Sequence, residues 1–150
     1  MECSFEKMTK EDLGEVLGIA RRSFSHPWTK EMFENELLKN PFSDQIVVKV
    51  NGKIAGYLFL MSLFDECHVM DFAVHPDLRR KGIGGKIMSY LIEKMILKKI
   101  KVILLEVRKS NASALSLYQK AGFINIAVRK DYYSNPKEDA MIFQWKAPQG

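Results

Sequence analysis

Apolar residues in the first forty positions recur at three- and four-residue intervals, the spacing of helices with one buried face. This spacing predicts a first helix over residues 10–23 and a second that begins at Thr29 and ends before Asn40-Pro41. Residues 3–8 are suited to a short strand ahead of the first helix. A break at Ser25-His26-Pro27-Trp28 separates the two helices.

The spacing then changes to that of strands. Residues 45–50 are rich in β-branched side chains, and Asn51-Gly52 is the dipeptide most typical of a tight hairpin. Residues 53–63 continue as the partner strand, and a turn at Asp65-Glu66 leads to a third strand over 67–74. The pattern therefore predicts three consecutive antiparallel strands.

The second half of the chain alternates helices with strands. Apolar positions predict a helix from Ile83 to about Leu97, a strand over 102–107, and a helix that Asn111 caps and Gly122 ends. Two further strands are expected near 123–129 and 140–145. The order β-α-α-β-β-β-α-β-α-β-β predicts a mixed α/β sheet with helices on its faces, in one domain over residues 1–150.

The charge of the chain suggests a polyanionic ligand. Its 150 residues are 47% hydrophobic and 27% charged, with a formal net charge of +5. Such an excess points to nucleic acid, an acidic membrane surface or a polyphosphate ligand. No nucleic-acid motif is present, and the longest mostly apolar run, 54–64, is too short to span a bilayer. One phosphate site on a solvated surface accounts for the charge, so we expect no nucleic-acid or membrane partner and a cytoplasmic location.

The spacing of cysteine and histidine predicts no metal site. Cys3 and Cys67 are far apart and form no CxxC pair, and the three histidines do not have metal-ligand spacing. A disulfide framework is not expected either. Cys67 is at no recognised nucleophile position, so no covalent enzyme intermediate is expected.

A basic, glycine-rich corner separates the third predicted strand from the helix that begins near Ile83. Its glycines leave the backbone accessible, and the first N–H groups of the helix have no intrahelical acceptor. The helix dipole favours negative charge at the same place. The residues that form this corner are Arg79, Arg80, Lys81, Gly82, Gly84 and Gly85. A phosphate-bearing ligand is the expected occupant, and a solvated glycine turn is the alternative.

The spacing within the corner narrows the class of ligand. A Walker-type loop needs Ser or Thr after Gly85-Lys86, where Ile87 stands, and Ile87 also occupies the place of the third glycine of a dinucleotide fingerprint. The corner instead reads Arg79-x-x-Gly82-x-Gly84 between a strand and a helix. This pattern resembles the acetyl-CoA pyrophosphate loop of the Gcn5-related N-acetyltransferase (GNAT) family.

Three stretches extend the resemblance over nearly the whole chain. They are Phe72-Ala73-Val74-His75-Pro76, the run from Leu105-Glu106-Val107-Arg108 through Asn111 to Leu117-Tyr118 and Ala121-Gly122-Phe123, and Arg129-Lys130-Asp131-Tyr132-Tyr133 with Glu138-Asp139-Ala140. Within the family the chain is most similar to the RimI-type ribosomal-protein-alanine N-acetyltransferases. The resemblance implies the GNAT fold, a mixed seven-stranded sheet with about four helices.

Acetyl-CoA is the co-substrate that this resemblance implies, with no metal. The pantetheine arm would contact the backbone of the strand before the corner, the pyrophosphate would contact the corner, and Asn111 would also contact the cofactor. The cofactor-binding candidates are Phe72, Ala73, Val74, Arg79, Arg80, Lys81, Gly82, Ile83, Gly84, Gly85 and Asn111. For Asn111 the alternative is a plain helix cap.

The resemblance also implies two catalytic residues. Glu106 shares a strand face with Val102 and Leu104, and as a general base it would take a proton from the amine. The alternative for Glu106 is that it is a solvated carboxylate at the end of the strand. If it were buried without a partner, its pKa would be raised. Tyr118 would protonate the departing CoA thiolate, and its alternative is a core tyrosine beside Leu115.

The implied acceptor is the α-amino group of an N-terminal alanine, in a small-subunit ribosomal protein. Trp28, Tyr132 and Tyr133 are candidates to line the peptide slot, with packing as the alternative. A broader N-terminal, lysine or small-molecule amine acetyltransferase of the same fold is the alternative function. Because the acceptor is basic, we also expect acidic residues beside the slot, namely Asp65, Glu66, Glu138 and Asp139. The oligomeric state stays open, with a monomer favoured.

Overall fold

The structure, a computed structural model, describes residues 2–149. Its strands and α-helices follow one another in the order predicted from the sequence. They are β1 Ser4–Lys7, α1 Leu13–Ser23, α2 Lys30–Lys39, β2 Ser43–Val50, β3 Lys53–Leu63, β4 Glu66–Val74, α3 Ile83–Leu97, β5 Val102–Arg108, α4 Ala112–Lys120, β6 Ile124–Tyr133 and β7 Glu138–Lys146. Short 3-10 turns, Lys10–Asp12 and Pro76–Leu78, precede α1 and α3.

The strands form one mixed sheet in the order β1-β2-β3-β4-β5-β7-β6. The predicted hairpin is present, because Val50 pairs with Lys53 and the two residues between them, Asn51 and Gly52, have φ of 53° and 77°. Positive φ at both positions is what a two-residue hairpin turn requires. Strands β4 and β5 are parallel, and the other neighbours in the sheet are antiparallel. The predicted mixed sheet with helices on its faces is confirmed.

Helices cover both faces of the sheet. On one face α3 and α4 pack against the strands, with Ile87, Leu91 and Tyr118 in the same buried cluster as Leu58 and Leu105. On the other face α1 and α2 enclose a second cluster, which includes Val16, Ala20, Phe33, Tyr57 and Phe59. Full burial of a large apolar side chain stabilises the fold by about 1.5–3 kcal/mol, so the two clusters hold the central strands in a rigid frame.

The central parallel pair separates part of the way along its length. Strands β4 and β5 pair from Glu66 with Val102 to His68 with Leu104, and β4 then continues to Val74 without a partner on that side. A bulge at Met70, between the pairs Leu60–Val69 and Phe59–Asp71, changes the direction of β4 at the same level. A wedge-shaped gap therefore opens between the carboxyl ends of two parallel strands.

The last two strands differ from the prediction in length. Strand β6 runs to Tyr133 rather than to Arg129, and β7 begins at Glu138 rather than at Ala140. The side chains of β6 are nearly all exposed at the sheet edge, so apolar alternation does not mark its end. Its backbone pairing with β7 extends the strand instead.

In residues 2–149, no helix has both the length and the apolar character that crossing a bilayer requires.

Candidate active site

The gap between β4 and β5 opens into a groove of about 1110 Å³. Its walls come from β4 and β5, the glycine-rich corner, α4, the segment between α1 and α2, and the end of β6. Most of the residues predicted for the site line this groove: Trp28, Phe72, Ala73, Val74, Arg79, Arg80, Gly82, Gly84, Gly85, Glu106, Asn111, Tyr118, Tyr132 and Tyr133. Residues from distant parts of the chain are thus brought to one cleft.

Two of the predicted cofactor-binding residues do not line the groove. Ile83 is 1% exposed and its side chain lies in the core under α3, so only its backbone is available to a ligand. Lys81 is exposed beside the corner. Its charge adds to the positive field there at longer range.

The glycine-rich corner has the geometry of an anion site. Arg80 and Gly82 have positive φ, 63° and 81°, and this double reversal aims the start of α3 at the groove. The first intrahelical bond is donated by the Lys86 N–H to the Gly82 carbonyl oxygen at 3.2 Å, so the N–H groups before Lys86 precede the helical ladder. A Cβ on Gly84 would lie 3.2 Å from Leu117 of α4, which keeps that wall close. The corner fits a pyrophosphate.

Arg79 connects the corner to the neighbouring elements. Its Nε donates to the carbonyl oxygen of Val74 at 3.2 Å and its Nη2 donates to Ser23 Oγ at 2.9 Å. The end of α1 is also joined to the 3-10 turn before the corner by Arg22, whose Nη2 lies 2.9 Å from Asp77 Oδ1. These contacts place a guanidinium beside the end of β4, within reach of a ligand that follows that strand.

Asn111 has both of the positions considered for it. Its side-chain oxygen accepts from the Ala114 N–H at 3.2 Å, which is the N-cap bond of α4. The same residue lines the groove. Asn111 therefore caps α4 and forms part of the groove wall at the same time.

Glu106 lies next to His68, which the sequence pattern excluded only as a metal ligand. Its Oε2 is 2.6 Å from Nε2 of His68, and the Glu106 side chain is 19% exposed. The carboxylate is therefore neither fully solvated nor buried without a partner, the two situations considered from the sequence. The hydrogen bond that His68 donates to the Glu106 carboxylate is the main cause that raises the pKa of His68, against an opposing effect of burial. His68 was missed because the register of β4 against β5 is not readable from spacing.

Tyr118 also combines two positions. It is 7% exposed and packs against Phe72, Phe123 and Phe143, with ring centroids 5.8–6.4 Å apart. It lines the groove as well. Burial, and then the nearby Tyr133 and Asp71, raise the pKa of Tyr118, so the phenol keeps its proton near neutral pH.

Aromatic side chains border the outer part of the groove. Trp28 lies against Phe33 and Phe59, with centroids 5.2 and 5.3 Å away, and also faces the groove. Tyr132 and Tyr133 form an edge-to-face pair at 5.0 Å on the opposite side. Packing and lining of the peptide slot were the two alternatives for these residues, and Trp28 does both: it packs on aromatic rings and lines the groove.

None of the four acidic residues expected beside the slot lines the groove itself, although Glu138 contacts Arg108, which does. Asp65 and Glu66 are at the β3–β4 turn, where β4 and β5 are still paired, which is the far end from the opening. Glu138 accepts from Arg108 and from the Ser110 N–H, and Asp139 accepts from the Asp131 N–H. The acidic side chains that do line the groove are Asp71 and Glu106.

Among residues 2–149, no group of His, Cys, Asp and Glu side chains is arranged to hold a metal ion.

Comparisons with a family profile and with individual proteins indicate the same family. The sequence profile of the acetyltransferase (GNAT) family matches residues 13–123. A relative from Escherichia coli (strain K12), a [ribosomal protein bS18]-alanine N-acetyltransferase, is 32% identical over 133 residues, covering 87% of this chain and 88% of that protein. A Bacillus subtilis (strain 168) relative, provisionally assigned the same activity, is 34% identical over 141 residues, covering 94% and 93%.

Solved structures agree with the sequence matches. The ribosomal-protein-S18-alanine N-acetyltransferase of Escherichia coli superposes with a TM-score of 0.90 at 27% identity, covering 99% of this chain and 96% of that one. Ard1 from Thermoplasma volcanium has the same fold, with a TM-score of 0.89 at 24% identity, covering 99% and 100%. The chain therefore belongs to the GNAT family and is an acetyl-CoA-dependent N-acetyltransferase.

Proposed function

We propose that the chain transfers the acetyl group of acetyl-CoA to the α-amino group of an N-terminal alanine, in a small-subunit ribosomal protein. The observation that supports this most is the β4–β5 gap, where the anion corner, Tyr118 and Glu106 border one groove, with His68 in contact with Glu106. The relatives named as bS18-alanine N-acetyltransferases support the choice of acceptor. A single domain over residues 1–150, a monomer and a cytoplasmic location complete the proposal.

The cofactor side of the groove is assigned to the corner and the end of β4. The pantetheine arm lies along the backbone of Phe72, Ala73 and Val74, which have no strand partner on the β5 side. The pyrophosphate lies at the start of α3, where backbone N–H groups and Arg79 donate to it. Acetyl-CoA supplies the thioester that the amine attacks.

Glu106 is the proposed general base. A free α-amino group, with a pKa near 8, costs about 1.4 kcal/mol to deprotonate at pH 7, whereas a lysine near 10.4 costs about 4.6 kcal/mol. A carboxylate acting directly or through one water is adequate for the smaller cost. This difference favours N-terminal amines over lysine side chains as acceptors.

His68 is the proposed positioning residue for Glu106. At 2.6 Å from the carboxylate, the imidazole fixes its orientation and supplies a second site for the proton taken from the amine. When His68 is protonated it forms an ion pair with Glu106 and competes with the amine proton for the same oxygen. The pair accepts a proton best when His68 is neutral.

Tyr118 is the proposed general acid. The phenol keeps its proton in this buried position, because burial disfavours the phenolate. The phenol donates its proton to the departing CoA sulfur, and the resulting phenolate regains a proton from the one that the amine has lost, so no charge is left at this buried position. The amide and free CoA are the products.

A thiol-release assay with acetyl-CoA tests this function. The acceptors are a peptide with the N-terminal sequence of ribosomal protein bS18, the same peptide with a blocked N-terminus and an internal lysine, and spermidine. Turnover on the free N-terminus alone is expected, and Glu106→Gln should lower kcat about 100-fold or more, with binding of acetyl-CoA retained.

The acceptor panel separates the possible failures. Turnover on the blocked peptide or on spermidine would show that the acceptor is a lysine or a polyamine, and acetyl-CoA would still be the acetyl donor. An unchanged kcat in Glu106→Gln, at equal acetyl-CoA affinity, would remove Glu106 from the mechanism.

A further inference from the structure

Asp71 is a shielded carboxyl group in the groove that the proposed mechanism does not use. It lies on β4 directly after the bulge, opposite Phe59 of β3, and lines the groove. The Tyr57 hydroxyl donates to its Oδ2 at 3.2 Å, and Tyr57 itself is fully buried. Two neighbouring rings, Phe33 and Phe59, hold Tyr57 in place at centroid distances of 6.0 Å.

Residues 2–149 provide this carboxyl with hydrogen bonds but with no cation. The ion pairs within residues 2–149 involve other acidic residues, and Asp71 is in none of them. Its recorded partners are the Tyr57 hydroxyl and the backbone of Phe72. A shielded carboxylate is stable mainly when a positive group pairs with it. In this cleft a cationic ligand can provide that group.

The other ionisable groups around the groove do not fill that role. Two phenols, Tyr57 on β3 and Tyr118 on α4, interact electrostatically with Asp71. The charge of Asp71 contributes to the raised pKa of each of them. The other ionisable residues that line the groove, none of which forms an ion pair or side-chain hydrogen bond with Asp71 within residues 2–149, are His26, Arg79, Arg80, Glu106, Arg108, Lys120, Tyr132 and Tyr133. From α1 and α2, the residues clustered with Tyr57 are apolar, Val16, Ala20 and Phe33 among them.

We propose that Asp71, oriented by Tyr57, is the residue that receives the α-ammonium group of the acceptor and holds it in the groove before deprotonation. This inference rests on the proposed function and adds a specificity-determining residue to it. The amine arrives as a cation at neutral pH, pairs with the Asp71 carboxylate, and passes its proton to the Glu106–His68 pair. A free N-terminus is thereby selected over a neutral, blocked one.

The titration of Asp71 agrees with this role. Burial raises the pKa of Asp71 to about 7, against the opposing hydrogen bond from Tyr57. Binding of an ammonium group favours the ionised form and lowers that pKa again. The KM of the amine acceptor should therefore fall as the pH rises through about 7 and Asp71 ionises.

Asp71→Asn keeps the size of the side chain and its hydrogen bond from Tyr57, and removes the charge. The KM of an Ala-terminal peptide should rise about 10- to 100-fold at pH 7.5 and lose its dependence on pH, while kcat changes less than about threefold. A competitor peptide in which a propionyl group replaces the N-terminal alanine has the same shape and no ammonium. Its inhibition constant should be equal in wild type and variant.

Two further variants serve as matched controls. Asp65→Asn removes the same charge at the far end of β4, and the peptide KM should stay unchanged. Tyr57→Phe removes the hydrogen bond but leaves the carboxylate, so the pH at which KM improves should move upward. Circular dichroism and acetyl-CoA binding establish that each variant is folded.

Defined outcomes overturn the inference. Asp71 would only shape the groove if Asp71→Asn left the KM of the Ala-terminal peptide unchanged. The same conclusion would follow if the variant weakened binding of the Ala-terminal peptide and of the propionyl peptide equally. Either result leaves the proposed function intact, because wild-type turnover on the Ala peptide is measured first. If the wild type shows no turnover on that peptide, the proposed function fails and this inference fails with it.

Discussion

The two residues proposed for catalysis, Glu106 and Tyr118, each lie among neighbours from distant parts of the chain. Glu106 lies 2.6 Å from His68, and Tyr118 is shielded among three phenylalanine rings. In both cases the sequence predicted the residue, whereas its neighbours became known only from the fold. The roles of Glu106 and Tyr118 stay predictions, and their variants test them one residue at a time.

His68→Asn should change the pH dependence of kcat more than its maximum. The contact with Glu106 raises the pKa of His68, so under the proposed mechanism protonated His68 pairs with the base and should suppress activity at the acid end. The variant lacks this titration. The ratio of kcat at pH 8.5 to kcat at pH 6 should fall, as measured by thiol release with saturating peptide. An unaltered ratio would mean that His68 does not communicate with the base.

Tyr118→Phe should lower kcat about 100-fold, the usual contribution of a general acid, and leave acetyl-CoA affinity nearly unchanged. The ring packing with Phe123 and Phe143 is kept, so folding should be preserved. Tyr132→Phe is the matched control, since Tyr132 is 47% exposed at the rim of the groove. Equal losses of kcat in the two variants would contradict the assignment of Tyr118 as the acid.

At the scale of elements, the junction between β4 and α3 forms the proposed phosphate site of the groove. The chain leaves β4 at Val74, makes a 3-10 turn, and enters α3 through Gly82 with φ of 81°. A side chain at this φ is strained, because the left-handed region costs a residue with a Cβ about 1–2 kcal/mol. The direction of the first N–H groups of α3 depends on that residue.

Gly82→Ala should therefore weaken acetyl-CoA binding about tenfold and lower the free energy of unfolding by about 1 kcal/mol. Gly14→Ala is the matched control, because Gly14 is in α1 and a Cβ there would meet nothing within 4 Å. That control should stabilise the fold by up to about 1 kcal/mol without changing acetyl-CoA affinity. Isothermal titration calorimetry and urea unfolding measure both effects. Equal acetyl-CoA affinity in the two variants would contradict the role of the corner.

At the scale of the whole molecule, two groups link folding to pH in the same direction. His68 has a folded-state pKa raised above 6.5 by Glu106, and burial raises that of Asp71 from 3.8 to about 7. Each therefore binds its proton more tightly in the folded chain. The contribution of His68 is complete below pH 6.5 and that of Asp71 below pH 3.8, and each is lost as the pH rises through the folded-state pKa.

The thermal midpoint of the wild type should consequently fall relative to that of His68→Asn/Asp71→Asn as the pH rises from about 5 to about 8. A change of 1 kcal/mol corresponds to about 2–4 °C in a chain of this size. Differential scanning calorimetry of both proteins in matched buffers measures the difference. A constant gap across this range would show that neither group links folding to pH.

Local pattern was enough to predict the elements and the kind of fold. Helical spacing, the Asn51-Gly52 hairpin and the glycines of the corner act through neighbours within a few residues, so their consequences can be read along the chain. The edge strand β6 was predicted too short because its exposed side chains carry no such pattern. Its length depends on pairing with β7.

The sequence alone determined the order of the elements, the glycine-rich corner and a set of site residues most of which line the groove, because each depends on short-range geometry or on a motif. The tertiary structure alone decided which side chains meet: His68 beside Glu106, Asp71 beside Tyr57, and the distance of Asp65 and Glu66 from the groove. The reason is physical. Contacts across strands follow from register, from the bulge at Met70 and from where β4 leaves β5, and these result from packing between segments far apart in the chain.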